Sequence, residues 1–259
     1  ELFIRKTKPL RFTRAGLELL QLDSTVLPQL RQAERNLQRL TGSRSGRLHM
    51  VIECHSCFDW LMPAINNFRN HWPEVEIDLS TSFNFEPIPA LIRGDVDLVI
   101  TSDTHHQSGV HYQPLFRYQS VLAVANQHAL AQKSSIQPQD LQTETLIHYP
   151  VARQRLDIFE HFLNPSGVEP KDTRQSELTL MIVQLVASGR GVACLPSWAL
   201  QPYTDSGLIS TRSLGNNGIW PTLYAAVRQE QQDSPFIQDF FQQALDTCFQ
   251  DLPGILPAD

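Results

Sequence analysis

Pro87-Ile88-Pro89-Ala90-Leu91-Ile92-Arg93-Gly94-Asp95-Val96-Asp97-Leu98-Val99-Ile100-Thr101 is the stretch that decides the fold. Pro87–Arg93 reads as a short helix. Gly94–Asp95 then turns the chain into Val96–Thr101, an apolar run with the length of a strand buried on both faces. The pattern continues backwards along the chain. Val75–Thr81 (VEIDLST) alternates as a strand, Phe58–Trp72 is a helix with Leu61, Ile65 and Phe68 on one face, and Arg47–Cys54 is a strand. Strand, helix, strand, helix, strand predicts right-handed crossovers and a mainly parallel sheet.

A second set follows downstream. Leu122–Ala125, Leu146–Tyr149, Val192–Leu195 and Leu223–Val227 are strand candidates. Helices are expected at Asp157–Leu163, Thr179–Ser188, Pro196–Tyr203 and Phe236–Phe249. The fold class is therefore α/β, with two Rossmann-like subdomains facing a cleft. Small ligands bind such folds at the carboxyl ends of the strands.

The 259 residues are 41% hydrophobic and 19% charged, a globular composition with enough chain for a real core. No apolar run approaches the roughly 20 residues of a membrane helix, so no membrane partner is expected. Four cysteines are too few for a disulfide scaffold at this size, and a cytoplasmic location is the simpler expectation. Cys194 and Cys248 read as buried free thiols. The net charge is −6, unevenly placed: residues 1–47 carry 10 Lys and Arg against 4 Asp and Glu, the rest 11 against 23. A basic end on an acidic body suits a protein that approaches phosphate with one end only, or one with a basic tail and no partner.

That basic end (ELFIRKTKPLRF, 1–12) reads as a short strand or wing. Arg5, Lys6, Lys8 and Arg11 on it are candidates for DNA-backbone contact. Thr13 is a natural N-cap for the helix that follows, over 13–43. Within that helix Val26, Leu30, Ala33, Leu37 and Leu40 are spaced 4, 3, 4, 3. This is a two-heptad dimerisation seam, flanked by Arg31, Glu34, Arg35 and Arg39. Pro28 is expected to kink the helix or loosen one turn.

The most chemically suggestive stretch is Cys54-His55-Ser56-Cys57. Ser56 is a candidate N-cap, with Asp59 completing a capping-box-like pair. The free N–H groups there make either an anion site, with His55, Ser56 and Cys57 holding an amino-acid carboxylate, or a plain cap. A metal site lacks further ligands, and dithiol chemistry would want both cysteines on the helix. Thr101 and Ser102 end a buried strand and either face a ligand or shape a turn. His148, Tyr149, Leu195 and Pro196 end strands of the second unit, so the same rule places them on the opposite wall. His105, His106 and His111 read as a solvated loop. No nucleophile elbow, phosphate loop or dinucleotide fingerprint is present. The sequence thus points to a binding protein with no cofactor and no resident metal rather than an enzyme.

Five segments carry a resemblance. They are Leu2–Arg5 with Pro9–Gly16, the helix after them, Gly94–Ile100, Gln127–Leu130 (with Ala129 where proline is usual) and Gly189–Pro196. Together, in this order, the chain resembles LysR-type transcriptional regulators. The resemblance implies a fold similar to type 2 periplasmic-binding proteins preceded by a long linker helix. It reads residues 1–12 as the remnant of a winged helix-turn-helix whose head lies outside this chain. Residues 47–117 with 225–252 are then effector-binding subdomain I, and 118–224 subdomain II. It also implies promoter DNA and RNA polymerase as partners and a homo-oligomer, dimer or tetramer. Ile52–Cys57, Asp97–Asp103, Leu146–Val151 and Leu223–Arg228 are further similar to the branch of the family that controls methionine biosynthesis with homocysteine as co-effector. A stand-alone amino-acid-binding protein and a thiol-dependent enzyme are the alternatives.

Overall fold

The computed structural model describes residues 1–40, 46–53, 57–81, 86–104 and 107–258. Two short strands, β1 (Phe3–Ile4) and β2 (Arg11–Phe12), pair antiparallel and lead into α1 (Arg14–Leu40). Arg5, Lys6, Lys8 and Arg11 are exposed on this wing. Thr13 caps α1, its Oγ1 accepting from the Gly16 N–H at 3.0 Å. The helix continues as one element through position 28.

The first lobe begins with β3 (Gly46–Ile52), α2 (Phe58–His71), β4 (Val75–Thr81), α3 (Pro87–Arg93), β5 (Leu98–Thr101) and β6 (Val110–Arg117). Gly94 closes α3 at φ 80°, the left-handed conformation that lets the chain turn straight into β5. The chain then crosses to the second lobe. There it forms β7 (Ser120–Val124), β8 (Ser135–Ile136) and β9 (Thr145–His148), then a π-helical turn at Phe159–Leu163 that runs on into α4 (Asn164–Ser166). Beyond these lie β10 (Asp172–Gln175), α5 (Thr179–Ala187), β11 (Val192–Pro196), α6 (Ser197–Asp205) and β12 (Ser210–Leu214). It returns through β13 (Thr222–Arg228), α7 (Pro235–Asp251) and β14 (Leu256–Pro257).

The sheets have the orders β14-β6-β13-β5-β3-β4 and β10-β9-β11-β7-β12-β8. Both are mixed. β3 is parallel to β4 and β5, but β13 is antiparallel to β5 and β6. In the second sheet β9 is parallel to β10 and β11, and β7 is antiparallel to β11 and β12. This corrects the expectation of a mainly parallel sheet. β7 and β13 are the first strands after each crossing, so they enter their sheet from the other lobe and run against the crossover-built strands. β6, β8, β10, β12 and β14 were not expected; His111 lies in β6, not in a loop.

The two crossings lie side by side: the Tyr118 N–H donates to Pro221 O and the Ser120 N–H to Ile219 O, both at 3.0 Å. Trp198, the second residue of α6, belongs to the first lobe's core. Its ring meets Phe116 at 5.3 Å and Tyr118 at 4.7 Å, both edge-on. That core also holds Leu48, Met50, Trp60, Phe68 and Phe240, packed between the sheet, α2 and α7. Separate clusters cover the two faces of the second sheet.

Candidate functional site

The carboxyl ends of β3, β5, β9 and β11 face one another across a cavity of about 90 Å³, several times the volume one water needs. Its walls include Thr101, Ser102, His148, Tyr149, Leu195 and Pro196. The strand-end rule thus brings six of the nine candidate effector residues together. His55 and Ser56 lie outside the described residues. Cys57 is fully buried in the first lobe's core and is not a cavity wall. It occupies the N-cap position of α2, one residue later than the cap expected at Ser56, and makes no side-chain capping bond.

Local chemistry fixes several walls. Thr101 Oγ1 accepts from the Asp103 N–H at 2.9 Å, so its hydroxyl shapes the turn after β5. His148 Nδ1 lies 2.7 Å from Tyr149 O. A carbonyl only accepts, so Nδ1 carries a proton in this contact. Tyr149 OH and Thr179 Oγ1 are 2.7 Å apart, tying β9 to α5. At the start of β11, Gly191 sits at φ 150°. A Cβ there would lie 2.4 Å from Thr145 O, so only glycine lets β11 close on β9.

The remaining polar walls were missed in the sequence: Glu53, Asp103, Tyr118, Ser120, Arg155 and Asp157, with Cys194 among them. Glu53 follows β3 in the first lobe, and Arg155 lies in the 3₁₀ turn Arg153–Arg155 of the second. Their side chains form an ion pair across the cleft, with 9% of the Glu53 side chain and 24% of the Arg155 side chain exposed. Asp157 accepts from Ser120 Oγ at 2.6 Å and from Tyr118 OH at 3.2 Å. Burial nevertheless raises its carboxyl above the ordinary value, against the pull of those two bonds and of His161. Burial, then the neighbouring Asp157, pushes the Cys194 thiol well up, which keeps it protonated and poorly nucleophilic. The Tyr112 hydroxyl is raised by burial and by Asp103 and Glu53.

Among the described residues no group of three His, Cys, Asp or Glu side chains is placed to hold a metal. Among the described residues no helix is long and apolar enough to cross a membrane. Outside the cleft, Val26, Leu30, Ala33 and Leu37 of α1 are exposed, Leu30 at 53% and Leu37 at 62%; the Leu40 side chain lies outside the described set.

A family model described as the LysR substrate binding domain matches residues 41–249. The chain is 45% identical over 258 residues to the HTH-type transcriptional regulator MetR of Escherichia coli strain K12, covering all of this chain and 80% of that protein. It is 40% identical to the MetR regulator of Haemophilus influenzae, over 98% of this chain and 82% of the other. Among solved structures, the regulatory domain of MetR, a LysR family regulator from N. meningitidis, superposes with a TM-score of 0.78 at 42% identity. That match covers 83% of this chain and 99% of that domain. Full-length BenM shares the fold at 20% identity, with a TM-score of 0.67 over all of this chain and 85% of the other.

Proposed function

Because the chain belongs to the LysR family of transcriptional regulators and is MetR-like over its whole length, we propose that its cleft senses homocysteine in the control of methionine biosynthesis genes. The observation that carries this reading is the cavity between the strand ends of two lobes. It is walled by charged and apolar side chains together, as suits a small amino acid with an apolar thiol tail. The homologues are transcriptional regulators, and we read this chain as a binding protein. The full burial of Cys57 counts against a thiol-dependent enzyme, since a nucleophilic thiol needs access.

In this reading α1 joins protomers into a dimer or tetramer, and promoter DNA is held through a helix-turn-helix head with RNA polymerase alongside. The exposed arginines and lysines of the β1–β2 wing add only phosphate contacts. Ligand binding shifts the balance between two lobe arrangements, by no more than its differential affinity for them. The linker helices pass that shift to the heads. Calorimetric titration with L-homocysteine, L-methionine and L-cysteine under reducing conditions tests the effector. Saturable heat is expected with homocysteine. No heat and no thermal shift with homocysteine would remove the effector assignment and leave the family membership intact.

A further inference from the structure

The ion pair that spans the cleft matches, charge for charge, the head group of an α-amino acid. Glu53 stands on the first lobe and Arg155 on the second, both in the cavity wall. An α-amino acid carries an ammonium and a carboxylate on one carbon, an arrangement that can enter between two opposite side-chain charges and replace one contact by two. We propose that the effector binds by inserting its zwitterionic head into the Glu53–Arg155 pair. Its carboxylate accepts from the Arg155 guanidinium and its ammonium donates to the Glu53 carboxylate.

Four features support this site. Among the described cavity walls Arg155 is the sole Arg or Lys, so a carboxylate entering the cleft has one strong cationic partner among them. Asp103, which like Glu53 follows a strand end of the first lobe, adds an acceptor for the ammonium. The walls also include Leu146, Ile158, Leu195 and the protonated thiol of Cys194. These can receive a short uncharged side chain, and the described walls hold no second Arg or Lys for a dicarboxylate. Finally, the pair joins the lobes directly. Exchanging it for a ligand-bridged pair alters the separation of the lobes, so recognition and the regulatory movement happen at one place.

This inference rests on the amino-acid reading of the cleft, and its test separates the two. The unaltered chain is titrated with L-homocysteine, with its methyl ester, which lacks the carboxylate, and with 4-mercaptobutyrate, which lacks the ammonium. Affinity is expected to fall by at least about tenfold for each analogue. The same ligands are then applied to Arg155→Gln and Glu53→Gln. Arg155→Gln is expected to bind homocysteine at least about tenfold more weakly and to stop distinguishing it from the ester. Glu53→Gln is expected to stop distinguishing homocysteine from 4-mercaptobutyrate. Because removing one partner strands a buried charge, the double variant Glu53→Gln, Arg155→Gln serves as the folding control and is expected to melt above the less stable single variant. If the unaltered chain binds homocysteine and both analogues equally, or if both single variants bind homocysteine at full affinity, this site is overturned while the effector reading stands. If the unaltered chain binds no homocysteine, both fall together.

Discussion

Asp157 shows how one buried group ties the cleft to stability. Its carboxyl titrates above the ordinary range because burial outweighs the bonds from Ser120 and Tyr118. A folded-state pKa raised above the unfolded one means the native state binds the proton more tightly. The associated stability is therefore complete below the unfolded value of about 4 and is lost as pH rises through the folded value. Above the folded value the fold carries an ionised carboxylate that it would hold more easily protonated. Asp157→Asn keeps an acceptor for the two hydroxyls and removes the titration. It is expected to melt higher than the unaltered chain at pH 7, with the two curves converging towards about pH 4. Melting temperatures measured by circular dichroism across that range decide it: two parallel profiles would show that the titration of Asp157 makes no difference to stability. The same residue shows what strand-end reasoning leaves out. Thr101, His148 and Leu195 lie at the ends of apolar runs that are visible in the sequence. Arg155 and Tyr118 sit in a 3₁₀ turn and a crossing, and Asp157 is the first residue of a helix, positions where no periodicity announces which way a side chain faces. Glu53 lies one residue past β3, where the strand-end rule applies to it as well.

At the scale of elements, β3, α2, β4, α3 and β5 were legible because apolar periodicity marks most of them, β5 is a short apolar run buried throughout, and Gly94 punctuates the last turn. The elements that were missed have weak signals for physical reasons. β10 (DTRQ) is an edge strand exposed along its length, so nothing selects apolar residues in it. β6 carries Pro114, which argues against an ordered strand. The register against β13 slips there, Leu223 facing Phe116 and Tyr224 facing Pro114, and the bulge accommodates the proline. The contact between lobes was equally hidden. Trp198 starts a helix of the second lobe yet is 2% exposed in the first lobe's core, against Phe116 and Tyr118. Trp198→Ala should cost about 3–5 kcal/mol, the usual range for emptying a buried aromatic site. Because that ring couples two sheets, the loss should also separate their unfolding. The prediction is a lowered and broadened thermal transition, with hydrogen exchange in α6 and β11 rising before that in α7. A sharp, merely shifted transition with exchange unchanged in order would mean that Trp198 is ordinary core and not a coupling between lobes.

The whole molecule poses a problem that its own chain does not solve. The spacing of Val26, Leu30, Ala33, Leu37 and Leu40 marked a seam, and the described members of that row are exposed, Val26 at 46% and Leu37 at 62%. A 27-residue helix with aliphatic side chains in water is marginal alone, since helix stability in proteins comes largely from packing of the apolar face. The seam's narrowness suits a second helix of the same kind rather than a broad protein surface. The helix spans Arg14–Leu40 and includes position 28. Leu30→Asp with Leu37→Asp places two carboxylates in that row, where each costs far more between helices than in solvent. In sedimentation velocity the double variant is expected to run one association step smaller than the unaltered chain. Its lobes should keep their melting transition and their affinity for L-homocysteine. Retention of full assembly size would show that the protomers meet through other surfaces and that the exposed row has no partner helix. Loss of ligand affinity together with assembly would show instead that the cleft is shaped only within the oligomer.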